Sequence, residues 1–182
     1  MTAKRNSRSG AAEAPALAAD SLGFVLQPNS TPDKASKELS KFFKIGLNEI
    51  ALYKLEHGFL KFLFPPELKT AGSIPISSSI AVSAHTASSK KAELFNNFAK
   101  VKHASIFESI KRGQGQNDLH PIQKLISAPV LDRDGDVVGV VQICRKGADL
   151  SCGPDFTLED LKQLELAAKV LGEASFMQPT SK

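Results

Sequence analysis

The clearest pattern of hydrophobic positions lies in residues 124–144, where two runs, KLISAPVL and VVGVVQIC, flank Asp132-Arg133-Asp134-Gly135. Two β-prone runs joined by an Asp-Gly turn predict a hairpin. Along the second run, alternation predicts one apolar face made of Val137, Val141 and Ile143, and an opposite apolar face made of Val138, Val140 and Cys144. A strand that is apolar on both faces requires helices on each side, so this hairpin predicts an α/β/α sandwich.

The part of the chain that precedes this hairpin predicts one helix and a second hairpin. Thr31-Pro32-Asp33 is typical of a helix start, and we expect the helix to end at Gly46. NEIALYKLE and GFLKFLF are short β-prone runs joined by Glu56-His57-Gly58, whose glycine suits a tight turn. The apolar positions that recur at helical spacing are Ala35, Leu39, Phe42 and Phe43.

The middle of the chain gives weaker signals. Ile74-Pro75-Ile76 is compatible with a short strand, and the serines at 77–79 are placed to cap a small helix over residues 80–87. AELFNNFA is compatible with a strand or an irregular crossing, whereas HASIFESIKRG favours a helix. Pro129 cannot donate to a central ladder, so we expect a sheet edge or a bulge there.

The last predicted helix starts near Thr157, with Asp155 or Thr157 as its cap. Its apolar stripe is unusually broad for a helix that packs on one sheet face. We therefore expect it to contact both its own domain and a second copy of the chain. The stripe comprises Leu158, Leu161, Leu164, Ala168 and Leu171, widened by Leu166, Ala167, Val170 and Ala174.

Composition indicates one globular domain, because the 182 residues are 42% hydrophobic and 23% charged. We expect a disordered Ala/Ser/Pro-rich tail over residues 1–32, a domain over 33–176 and a disordered C-terminus over 177–182. No apolar run approaches the ~18 residues that span a bilayer. The first 20 residues lack the apolar stretch of a secretory signal, so we expect a cytoplasmic protein without membrane contact.

Charge and reactive side chains favour few kinds of chemistry. The net charge is only +4; residues 90–124 hold seven Lys or Arg and three acids, which we interpret as a solvated face rather than a nucleic-acid site. No metal site is expected, since His57, His85, His103 and His120 lack metal-ligand spacing. Cys144 falls in an apolar strand and Cys152 in an exposed loop, so neither is expected to form a disulfide.

The order of elements over residues 33–175 resembles the GAF domain family. The resemblance is carried by APVL at 128–131, DGDVVGVVQI at 134–143, and FTLEDL at 156–161 with the helix that follows. It implies an α+β fold, with a central antiparallel sheet, the N- and C-terminal helices on one face, and short helices and loops on the other. Lys146, Phe156 and Asp160 match a signature of cyclic-nucleotide-binding members, whereas Arg145 and Leu161 depart from it.

The resemblance implies a non-catalytic regulatory module that binds a small molecule of unknown identity between the sheet and one helical layer. It also implies a homodimer joined through the terminal helices and signalling through a protein partner. From the residues themselves we expect an ion pair between Lys146 and Asp160. The expected ligand-contacting residues are Ile80, Ala84, His85, Phe95, Asn97, Phe107, Ile110 and Ser127.

Two alternatives remain open. A protein-interaction scaffold with a collapsed pocket is favoured by Ser78–Val82, which lacks the glycine that many relatives place near the ligand. Free methionine sulfoxide reductases share the family fold and use loop cysteines. Thiol chemistry needs an accessible thiol of low pKa beside a resolving partner, which neither cysteine offers in sequence.

Overall fold

The computed structural model describes residues 30–101 and 120–178, which contain a six-stranded antiparallel sheet with helices on both faces. The strand order is β3-β2-β1-β6-β5-β4. Most of the predicted tail and the predicted helix at 103–113 lie outside the described residues. The strands are β1 (Ile50–Glu56), β2 (Phe59–Phe64), β3 (Ser73–Pro75), β4 (Glu93–Phe95), β5 (Ile122–Leu131) and β6 (Val137–Lys146), and the helices are α1 (Pro32–Phe43), α2 (Val82–Ser89) and α3 (Leu158–Leu171).

Helix α1 begins where the sequence predicts, because the Thr31 hydroxyl accepts a hydrogen bond from the Lys34 backbone N–H at 3.3 Å. The helix ends at Phe43 rather than at Gly46. Lys44 adopts the left-handed conformation that terminates helices, with φ of 53°. Gly46 instead precedes a short 3-10 turn, Leu47–Glu49, that leads into β1.

The terminal helices α1 and α3 cover one face of the sheet, as predicted. Met177 is also buried in this layer, although the sequence analysis assigned it to the C-terminal tail. Large aliphatic and aromatic side chains dominate, so this layer supplies much of the hydrophobic stabilisation. Its buried members from the helices include Ala35, Leu39, Phe43, Leu164, Ala167, Ala168 and Leu171.

The opposite face of the sheet is covered by α2 and by short 3-10 turns. Leu68 and Phe98 come from two of these turns, whereas Ala84 and Ala87 come from α2. The sheet contributes Tyr53, Leu60, Phe62, Leu125, Val140 and Cys144 to this second layer. The sheet is therefore buried on both sides, which confirms the predicted sandwich with short helices and loops on this face.

The β5–β6 hairpin has the predicted turn but not the predicted alternation at its start. Val130 pairs with Gly139 and Leu131 with Val137, so Val138 is an extra residue in β6. This bulge reverses the two faces before Gly139: Val137 packs in the α2 layer and Val138 in the α1/α3 layer. Pro129 lies next to the bulge and beyond the three β5 residues that β4 covers.

Helix α3 starts at a capping box in which Thr157 and Asp160 exchange hydrogen bonds. Leu164, Ala168 and Leu171 of the predicted stripe are buried, whereas Leu158, at the first helical position, is 73% exposed. The helix ends at Leu171, and Gly172 is its C-cap, where a Cβ atom would overlap the carbonyl oxygen of Leu131. Glycine is thus required for the close approach of α3 to β5.

Candidate functional site

Helix α2 places two of its polar residues against the sheet. Its N-cap is Ala81, which has no side chain to accept a hydrogen bond, so the predicted capping by the serines at 77–79 is wrong. The helix therefore starts at Val82, two residues after the expected start. Ser83 and Thr86, one turn apart, are both buried against the sheet. Strand β4 follows directly and directs Glu93 toward the same helix.

A row of hydrogen-bonded polar side chains runs through the otherwise apolar α2 layer, and we call it the polar seam: Tyr53, Gln142, Ser127, Thr86 and Glu93. The Tyr53 hydroxyl donates to Gln142 Oε1 at 3.2 Å, and Gln142 Nε2 donates to Ser127 Oγ at 3.2 Å. Ser127 Oγ lies 2.8 Å from Thr86 Oγ1, which donates to Glu93 Oε2 at 2.7 Å. The seam thus joins β1, β6, β5, α2 and β4.

The direction of the hydrogen bonds in the seam follows from counting protons. A hydroxyl has one proton, and that of Thr86 is donated to Glu93. Ser127 must then donate to Thr86, and it accepts from Gln142 in turn. Every hydroxyl proton therefore points along the seam toward the Glu93 carboxylate. Satisfying these buried groups is essential, because an unpaired buried hydroxyl costs about 1–3 kcal/mol.

Tyr53 forms the closed end of the seam. Burial raises the pKa of the Tyr53 hydroxyl far above its ordinary value, and the Cys144 thiol adds to the rise. A hydrogen bond from Ser83 of α2 acts in the opposite direction. The phenol therefore stays protonated and serves as a hydrogen-bond donor within the seam.

The open end of the seam is at the surface. His85 Nδ1 lies 2.9 Å from Glu93 Oε1, and the His85 side chain is 66% exposed. Both carboxylate oxygens of Glu93 therefore have a partner, because Oε1 pairs with His85 and Oε2 accepts from Thr86. His85 is therefore the one predicted contact residue that the structure places at a solvent-accessible end of the seam.

The structure brings only some of the predicted contact residues together. Ser127 lies within the seam, and Ala84 is buried in the same layer on α2, next to His85 in sequence. Phe95 is half-buried, and its ring packs edge to face against that of Phe98, with 5.8 Å between the ring centroids. Ile80 is exposed. Asn97 is half-buried at the start of a 3-10 turn, and Phe107 and Ile110 lie outside the described residues.

Four seam residues were missed by the sequence analysis: Tyr53, Thr86, Glu93 and Gln142. A signal for one of them exists. Gln142 interrupts a valine-rich strand, and in the hairpin register it stands opposite Ser127. Two polar residues paired across two apolar strands indicate a buried hydrogen bond. Thr86 and Glu93 meet the seam only through tertiary packing, which no local pattern predicts.

The Lys146–Asp160 ion pair stays a prediction. Asp160 Oδ2 accepts from the backbone N–H and the hydroxyl of Thr157, and the Lys146 backbone N–H donates to the buried carboxylate of Glu49 at 2.8 Å. Lys124 pins the loop after β6. Its ammonium lies 2.7 Å from Asp155 Oδ1.

The two cysteines are unsuited to thiol chemistry. Cys144 is fully buried in the α2 layer, and Cys152 is partly buried in the loop after β6; both are thiols rather than members of a disulfide. Partial burial raises the pKa of the Cys152 thiol, despite the opposing charges of Lys124 and Arg145. A thiol of raised pKa is a poor nucleophile at neutral pH.

One cavity of about 360 Å³ lies away from the polar seam. It has the size of a small-molecule site, yet none of the predicted contact residues that the structure describes lines it. It lies where the β5–β6 turn meets the end of α3. The lining residues are Asp132, Arg133, Asp134, Gly172, Glu173 and Gln178.

Solved structures similar to this chain are GAF domains and relatives of the same fold. The GAF domain of an Acinetobacter phosphoenolpyruvate-protein phosphotransferase aligns with a TM-score of 0.63 and 13% identity, covering 85% of this chain and 88% of that one. The equivalent Coxiella burnetii domain gives 0.62 and 9%, with 86% and 89% covered. The protein has a GAF-like domain fold.

A third structure with the GAF-like fold is an enzyme, the type II free methionine-R-sulfoxide reductase of Thermoplasma acidophilum. It aligns with a TM-score of 0.51 and 16% identity, covering 85% of this chain and 92% of that one. No protein-family model and no curated protein sequence matches this chain. At these identities the likeness establishes the fold alone, and the function must be argued from the site.

Proposed function

We propose that this GAF-like domain is a non-catalytic regulatory module that binds a small molecule at the polar seam and reports binding to a partner. The single observation that carries the proposal is the seam itself, from Tyr53 to Glu93. Such a network within an apolar layer stabilises a fold less readily than apolar packing, so its presence favours a role in recognition.

The absence of catalysis is part of the proposal. The fold neighbours include a reductase, but Cys144 is buried and the pKa of Cys152 is raised rather than lowered. Reduction of a sulfoxide by thiols requires a reactive thiolate and a resolving thiol. The observed environments disfavour both roles, so we place this chain with the binding modules.

We further propose a homodimer that associates through α1 and α3 and acts in the cytoplasm. Leu158 on α3 supports the dimer, because a leucine with 73% of its surface exposed lies on a helix whose other stripe residues are buried or partly buried. Within the described residues, no helix combines the length and hydrophobicity that crossing a bilayer requires. Sedimentation equilibrium tests the dimer: Leu158→Glu should lower the mass to that of a monomer, and an unchanged mass would exclude this surface.

Thermal shift against amino acids, nucleotides and haem tests ligand binding. A ligand of the folded state raises the melting temperature by mass action. For the compound that gives the largest shift, Thr86→Val should abolish the shift, because valine keeps the shape but loses the hydrogen bonds to Glu93 and Ser127. Thr86→Ser retains the hydroxyl and is the matched control.

The proposal would be rejected if ligand binding were equally strong in both Thr86 variants, since the ligand would then bind elsewhere. The cavity beside Gly172 is the alternative binding site. A Glu173→Ala variant distinguishes binding in this cavity from binding at the seam, because Glu173 lines the cavity and takes no part in the seam.

A scaffold is the second candidate function, and one observation favours it: the seam residues already satisfy one another. A site in which every polar group is paired has no need of a ligand. Under this alternative none of the compounds changes the melting temperature, and Thr86→Val affects stability without affecting any binding event.

A further inference from the structure

We infer that α2 is a lid over the polar seam, which opens as a unit while the sheet, α1 and α3 stay folded. Opening would expose Ser127, Gln142 and Tyr53 to a ligand. The use of this opening for regulation rests on the proposed function, whereas the opening itself does not.

The packing of α2 is the first line of evidence. Its buried residues are Ser83, Ala84, Thr86 and Ala87, none of which buries a large apolar surface. By contrast, α1 buries Leu39 and Phe43 and α3 buries Leu164 and Leu171. Hydrophobic stabilisation scales with buried apolar area, so α2 is the most weakly held of the three described helices.

The ends of α2 are the second line of evidence. At eight residues the helix is short, and its Ala81 N-cap provides no side-chain hydrogen bond. Its C-terminal end is held by a contact with the β5–β6 turn: Lys90 Nζ donates to the Gly135 carbonyl at 2.8 Å and lies 3.7 Å from Asp136 Oδ1. Lys90 is half exposed, and exposed pairs of this kind stabilise weakly.

The chemistry of the seam identifies the class of ligand that an open lid would admit. Lifting α2 separates Thr86 from Ser127, which leaves the Ser127 proton without an acceptor and Thr86 Oγ1 without its donor. A single hydroxyl or primary amide on a small molecule can satisfy both groups at once. We therefore expect ligands that carry such a group, and apolar ligands of the same size should not bind.

Native-state hydrogen exchange on the full chain tests the opening. We expect the backbone amides at the C-terminal end of α2, such as Ala87, to exchange at least tenfold faster than the Ala167 amide of α3. Lys90→Met should speed the α2 amides about two- to tenfold, the change expected on losing one exposed hydrogen bond. Lys91→Met removes the same charge from the neighbouring residue and should change the exchange rates of neither the α2 nor the α3 amides.

Thiol labelling shows whether the seam itself is exposed by the opening. Ser127 and Ala128 are adjacent, fully buried residues on opposite faces of β5. With site-resolved mass spectrometry, Ser127→Cys should react faster than Ala128→Cys, and adding Lys90→Met should accelerate only the first. Ser127→Cys itself alters the seam. The labelling result is therefore compared with the hydrogen-exchange rates of the chain that carries no substitution.

Equal exchange of the α2 and α3 amides, together with equal labelling of the two cysteine variants, would overturn the lid. Fast exchange of α2 without faster labelling at residue 127 would also overturn it, because the helix would then fray without uncovering the seam. Opening with no bound compound in the thermal-shift panel would leave the lid established and the proposed function refuted.

Discussion

Tyr53 is the single tyrosine of the chain, so its ionisation can be followed without interference. Its hydroxyl donates to Gln142 at the closed end of the seam, and burial raises its pKa far above the ordinary value. In the folded protein the phenol therefore keeps its proton at pH values where the unfolded chain, with a pKa of about 10, has lost it.

Ultraviolet titration at the phenolate band should therefore show no ionisation of folded Tyr53 between pH 10 and the pH of unfolding. Above pH ~10 the folded state binds more protons than the unfolded state, so the free energy of unfolding should fall as pH rises. In Gln142→Ala, which loses the acceptor, the seam is broken and the protein should be less stable at neutral pH. Reversible ionisation of the folded wild type near pH 10 would contradict the buried position.

Gly172 gives a second residue-scale prediction. A Cβ atom there would overlap the backbone carbonyl oxygen of Leu131, which cannot move without shifting β5. Gly172→Ala should therefore lower the free energy of unfolding by about 1–3 kcal/mol in urea denaturation. Gly46→Ala is the control: its Cβ would meet the Asn48 side chain, which can rotate away. Equal losses in both variants would show that α3 does not approach β5 so closely.

Single residues were the least predictable part of the site. The position of Ser127 could be expected from the resemblance, and its partner Gln142 from the hairpin register. The contact by which Lys124 pins the loop after β6, its ion pair with Asp155, was not predicted. Which carboxylate a lysine reaches depends on side-chain directions that the sequence does not contain.

The elements divide by how local their determinants are. Both hairpins and the starts of α1 and α3 were predicted, because turns and caps depend on a few adjacent residues. Pro129 indicated an edge or a bulge, but the position of the extra residue at Val138 on the facing strand was not predicted, because it depends on how the two strands pair. The start of α2 was misplaced because a serine caps a helix only when it occupies the N-cap position. In this helix the N-cap is Ala81.

The contrast between α3 and α2 can be measured with two cap variants. Thr157→Ala removes the capping box of α3 and should lower the free energy of unfolding by about 1 kcal/mol. Ser79→Ala removes the serine nearest to α2, which makes no capping hydrogen bond, and should leave stability within about 0.5 kcal/mol of wild type. A larger loss in Ser79→Ala than in Thr157→Ala would reverse the assignment of the caps.

At the scale of the whole molecule, the two layers on the sheet have different characters. The helices of the α1/α3 layer bury large apolar side chains, whereas in the other layer α2 contributes small residues and the polar seam crosses the apolar side chains of the sheet. The sandwich could be predicted because a strand that is apolar on both faces needs two covers. The polar seam could not be predicted, because it joins residues as far apart in sequence as Tyr53 and Gln142.

The measurement that tests the central claim most directly is an amide NMR titration of the full chain with the compound that gives the largest thermal shift. Ligand binding at the seam predicts shifts concentrated on α2 and on the residues around Ser127 and Gln142, with α1 and α3 unchanged on their outer faces. Shifts confined to the outer faces of α1 and α3, to the cavity beside Gly172, or absent at saturating compound would contradict it.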